Sequence, residues 1–132
     1  MLAQYATYVI YFTAGFMLIP TGRDFFAPGK AIMPGDDKLL AAMNRDALQK
    51  PCSAFMWKVF GCNFVFLSII KFMTLASAAG QLATLFAIHG TIAVSLLIFY
   101  KKGFDAEGAD ITPFLGLFVL ETIAWYILVL GL

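Results

Sequence analysis

The chain has 132 residues, 61% of them hydrophobic and only 13% charged, with a mean hydropathy of +0.85; soluble domains run at about 45–50% apolar and about 25% charged. That composition excludes a water-soluble fold. Nine Lys and Arg against eight Asp and Glu leave a net charge of +1, so no basic field exists to hold a nucleic-acid backbone.

At about 20 residues per crossing, the length suits one domain over residues 1–132, with four spans and two modest loops. The first apolar run is Leu2 to Ile19, and Pro20, Thr21 and Gly22 are expected to stop it. No Lys or Arg precedes it, so it reads as a retained span rather than a cleaved leader. In the loop that follows, Pro34 and Gly35 precede Asp36 and Asp37, acids suited to a helix start. Leu39, Leu40, Met43 and Ala47 then fall on one face, with Lys38, Arg45 and Gln49 opposite. This predicts a short amphipathic helix over about 36–49, lying on a membrane surface or packed against a partner protein.

The second run covers 54–77, the third 80–100 and the fourth 112–132. Only Ala78 and Ala79 separate the second from the third, which predicts a tight antiparallel hairpin. Cys52 and Cys62 are ten apart, with neither a redox nor a metal spacing, and are read as separate thiols. Gly103 to Asp110 is read as a solvated acidic turn, since its acids lack calcium-loop order. Arg23, Lys30, Lys38, Arg45 and Lys50 lie in the first long loop and Lys101 and Lys102 after the third span. The positive-inside rule places both loops on a cytoplasmic, matrix or stromal side and both termini opposite, with an organellar membrane, thylakoid or mitochondrial inner, as the expected location.

Ionisable groups inside spans cost several kcal/mol unless paired, so each is a functional candidate. Lys58 is close enough to a span end to snorkel and is given no chemistry. Lys71, His89 and Glu121 lie roughly 9, 13 and 15 Å in from one face at about 1.5 Å per residue, and so share a layer. Gly61, Asn63, Ser68, Lys71 and Thr74 form a polar stripe on the second span. His89 sits in the stripe Leu82, Leu85, Ile92, Leu96, and Glu121 in the stripe Phe114, Leu117, Phe118, Trp125, Leu128, as expected of a buried pair. Three readings stand: a structural pair of Glu121 with Lys71 or His89; His89 or Glu121 as a cofactor-binding side chain, one axial ligand to chlorophyll or another macrocycle; or proton transfer by the trio. A bis-histidine haem is impossible within one chain with a single His. Ligands are too few for zinc or di-iron.

The first span ends A-G-F-M-L-I-P, the loop carries R-D-F-F, and the second span opens W-K-V-F-G-C-N before a short hairpin and a final span. This layout resembles DoxX-like small four-helix membrane proteins. The resemblance implies a four-helix fold and transfers no functional residue. The expected fold is thus an all-α integral membrane four-helix bundle with a short interfacial helix between spans 1 and 2. The expected function is a non-catalytic accessory subunit of a photosynthetic or respiratory membrane complex, bridging other membrane subunits and binding lipid or pigment. The alternative is a small membrane enzyme or binding protein for a sterol, quinone or other isoprenoid.

Overall fold

An apolar run can satisfy its own backbone donors and acceptors as a helix, and four such runs do so here. The computed structural model describes residues 1–48, 50–77 and 80–132. Its elements are α1 (Leu2–Phe26), α2 (Asp36–Ala42), α3 (Arg45–Leu48), α4 (Pro51–Ser77), α5 (Gly80–Ala106) and α6 (Thr112–Leu130). Helices α1, α4, α5 and α6 are each long and apolar enough to cross a membrane.

Helix α1 packs along both α4 and α6, and α6 packs along α5. Tyr11 stacks on Phe72 at a ring distance of 5.7 Å. Farther along, the backbone of Thr21 and Phe25 closes on Gly61. The pairing of early with late residues makes α1 and α4 antiparallel. Phe86 against Trp125 and Gly90 against Thr122 give the same sense for α5 and α6. Ala6, Ile10, Ala83, Phe86, Ala87, Ala124 and Trp125 form the central core, joining α1, α5 and α6. Much of that core is alanine, which lets backbones approach closely. Large apolar side chains such as Phe55, Phe60, Phe66, Phe99 and Leu85 point outward instead.

Several boundaries differ from the sequence expectation. Helix α1 does not stop at Ile19 but continues through Pro20 to Phe26. A mid-helix proline removes one donor at a cost of about 3 kcal/mol. Local contacts offset this: Thr21 Oγ1 donates to the Met17 carbonyl at 2.7 Å, and the turns beyond Pro20 carry a buried charge cluster and the Gly61 contact. The amphipathic helix over 36–49 is two pieces, α2 and α3, broken where Asn44 turns to φ 58°. Asparagine is among the few side chains that adopt such a backbone readily. Residue 49 of that expected helix lies outside the described residues.

Helix α4 begins at Pro51, three residues before the expected start at 54 and at a position where proline's missing donor has no partner to lose. Helix α5 runs on past Tyr100 to Ala106, with Lys101 bound to Asp105 one turn later. The expected acidic turn therefore shrinks to the residues around Gly108, whose φ is +76°. Helix α6 ends at Leu130, and Gly131 caps it in the left-handed conformation. The expected hairpin turn at Ala78 and Ala79 lies outside the described residues. Cys52 and Cys62 are both free thiols.

Candidate functional site

The antiparallel registers bring the last third of α4, the first third of α5 and the middle of α6 to one level, and that level holds Lys71 and Glu121. Lys71 Nζ lies 2.5 Å from Glu121 Oε1, with both side chains 9% exposed. Trp125, one turn beyond Glu121, donates its indole N–H to the same Oε1 at 3.1 Å. The Trp125 ring stacks on Phe86 at 4.8 Å between centroids, and the Lys71 ammonium sits 5.7 Å from the Phe86 ring centre. A cation over an aromatic face gains about 0.5–2 kcal/mol. One carboxylate thus meets an ammonium and an indole N–H, and two stacked rings adjoin the pair. Thr13 and Thr74 are buried and bond back to carbonyls of their own helices.

Such a pair neutralises two charges that neither lipid nor protein core would tolerate alone. Lys71 is the partner of Glu121, and His89 is not. His89 is half-buried, within electrostatic reach of both Lys71 and Glu121, and has no hydrogen bond or ion pair among the described residues. The stripe assigned to it faces away from the core: Leu85, Ile92 and Leu96 are 60%, 55% and 53% exposed. The buried face of α5 is Ala83, Phe86, Ala87 and Gly90. A side chain at Gly90 would run into Thr122, so glycine is what lets α5 and α6 approach here. The expectation that His89 occupies a buried stripe is therefore corrected. The expectation for Glu121 holds, as does the α4 stripe, in which Gly61, Ser68, Lys71 and Thr74 are buried while Asn63 is exposed. Lys58 is exposed.

A second polar cluster went unread in the sequence. At the far end of α1, Arg23 Nη2 and Nε reach Asp24 Oδ1 at 2.7 and 2.8 Å. Arg23 Nη1 lies 2.9 Å from Asp36 Oδ2 as an ion pair, off the direction of a hydrogen bond. Asp36 Oδ2 also accepts the backbone N–H groups of Ile32 and Met33, each at 3.0 Å. Burial opposes ionisation of Asp36, yet those two donors and the Arg23 charge outweigh it and hold the carboxyl below its ordinary range. The cluster ties the loop and the start of α2 to α1. Its signal in the sequence was Asp36 itself, read only as a helix start.

Among the described residues, no three His, Cys, Asp or Glu side chains gather in a way that could hold a metal ion. Comparison with protein-family models, with curated proteins and with solved structures gives no match. The DoxX-like layout therefore carries no family assignment.

Proposed function

We propose that the chain is a non-catalytic accessory subunit of a larger energy-transducing membrane assembly, integral to an organellar membrane, with both long loops on its stromal, matrix or cytoplasmic side. The supporting observation is the split of the mid-depth trio. Lys71 and Glu121 close on each other inside the bundle, whereas His89, half-buried within electrostatic reach of them, bonds to neither and borders the exposed apolar stripe Leu85, Ile92, Leu96. A membrane enzyme acting on a sterol or quinone would want all three lining one enclosed pocket. An accessory subunit needs a quiet interior and an outer face that neighbours can cover.

A half-buried imidazole at the edge of an apolar outer stripe is costly unless something polar meets it. In this reading a neighbouring subunit, or the metal of a macrocycle such as chlorophyll, covers His89. Glu121 is the weaker ligand of the two, since Oε1 already serves Lys71 and Trp125. The outward aromatics Phe55, Phe60, Phe66 and Phe99 supply further contact area for protein or lipid.

The test is purification of wild type and His89→Ala in mild detergent, with native mass spectrometry and an absorption spectrum. The reading expects wild type to travel with a much larger assembly, and His89→Ala to lose either a partner or about one macrocycle per chain without unfolding. A tetrapyrrole band would place the assembly on the photosynthetic side. A stable solitary monomer that turns over an isoprenoid lipid would overturn the reading.

A further inference from the structure

At the loop side of the bundle, α1, α6 and the start of α2 leave a cavity of about 240 Å³. Its apolar wall includes Phe16, Leu39, Phe114 and Leu117, and its polar wall includes Asp36 and Asp110. The volume exceeds the roughly 150 Å³ apolar cavity that accepts a benzene ring, so a ring or a short length of alkyl chain fits.

The charge around this cavity is unbalanced. Arg23 is one cation facing two carboxylates, Asp24 and Asp36, so the cluster behind the wall is short of positive charge. Asp110 adds another carboxylate, held by Thr112, whose backbone N–H it accepts at 2.8 Å. Lys101 is within electrostatic reach of Asp110, but its ammonium is already bound to both oxygens of Asp105 at 2.8 Å. An apolar slot with a negative rim is complementary to an apolar chain that ends in a cation.

We propose that this cavity binds an amine-headed amphiphile, a lipid whose ammonium lies against the exposed Asp110, beside the buried Arg23–Asp36 pair, while its chain enters between Phe16, Phe114 and Leu117. The site sits where the first turns of α6 and the start of α2 meet the side of α1 at Phe16, three residues before the end of the apolar run Leu2 to Ile19, which in a spanning chain is near the boundary between hydrocarbon and headgroups. The proposal rests on the membrane-spanning reading for the source of the lipid; the cavity and its charge stand without it.

The experiment is photolabelling of the full chain in a maltoside detergent with a diazirine-bearing dodecylamine, followed by peptide mapping. Dodecylamine, dodecanol and dodecanoate serve as competitors. The expected result is saturable labelling confined to residues 33–39 and 113–117, competed in the order amine, alcohol, carboxylate. Leu117→Trp, which fills the slot, abolishes the labelling. Leu39→Phe, a smaller change, reduces it should the first variant fail to fold. Asp110→Asn lowers the preference for amine over alcohol by about two- to fivefold, the worth of one exposed charge. Equal competition by dodecanoate, or labelling spread over the outer faces of α4 and α5, overturns the proposal. Copurification with a larger assembly is scored separately, so either reading can fail alone.

Discussion

Two buried charge clusters hold this molecule together, and they are built differently. At mid-bundle, Lys71 and Glu121 form a one-to-one pair beside Phe86 and Trp125, every member lying within a long helix more than one turn from its ends. At the loop end, Arg23 serves two carboxylates, and backbone amides of an irregular segment complete the set. The first cluster fixes how helices stand against each other. The second fixes where a loop lies, and it retains a surplus of negative charge. Side chains alone can close a site deep among helices because the helices have no spare backbone donors; a loop has them and uses them.

The largest effects are expected at mid-bundle. Lys71→Met or Glu121→Leu alone strands a charge and should cost about 3–5 kcal/mol, read as thermal unfolding in detergent. A loss no greater than that of an exposed control such as Lys58→Met would contradict the assignment of Lys71 and Glu121 as a buried pair.

The two clusters also sit beside glycines that differ in what a side chain would strike. At Gly61, near the loop end, a methyl group would meet the Thr21 carbonyl oxygen and the Phe25 nitrogen at 2.7 and 2.8 Å, both backbone. At Gly90 it would meet Thr122 Oγ1 most closely, which can rotate at the cost of its bond to the Phe118 carbonyl, leaving the Thr122 Cβ at 3.1 Å to give by a few tenths of an ångström. Gly61→Ala should therefore cost about 1–3 kcal/mol by forcing α1 and α4 apart, and Gly90→Ala less. The reverse order in thermal unfolding would mean that α1 yields more easily than α6.

Most local is the acid response. Asp36 has its carboxyl held below the ordinary value, so its contribution is fully present above about pH 4 and is lost as pH falls through the lower folded value. Below about pH 4 the amides of Ile32 and Met33 should lose protection relative to their unstructured exchange rates while those of α6 do not. Asp36→Asn should speed their exchange at neutral pH by an amount worth about 1–3 kcal/mol and remove the acid step. Exchange indifferent to both changes would show that the loop is held by other contacts.

The four long helices were legible because each is an apolar run of spanning length, and the partnership of Glu121 was legible because a mid-depth carboxylate must find a cation. The facing of α5 was not. In water the large apolar stripe is the buried one, but helices apolar enough to meet lipid have no such drive, and the small stripe Ala83, Ala87, Gly90 packs inward while Leu85, Ile92 and Leu96 face out. Pro20 misled in a different way: it predicts the loss of one hydrogen bond, and nothing local reports that Arg23 will find Asp36 thirteen residues on. That contact exists only because α1 continues, so the missed helix end and the missed cluster are one omission.

The measurement closest to the central claim is a double-mutant cycle on Lys71→Met and Glu121→Leu, read as unfolding free energy in detergent. If the pair closes the interior as described, the double variant should be far less destabilised than the sum of the single ones, with a coupling of at least about 2 kcal/mol. Additive losses, with coupling near zero, would mean that Lys71 and Glu121 do not meet in the folded protein and that the mid-bundle layer is open to another partner.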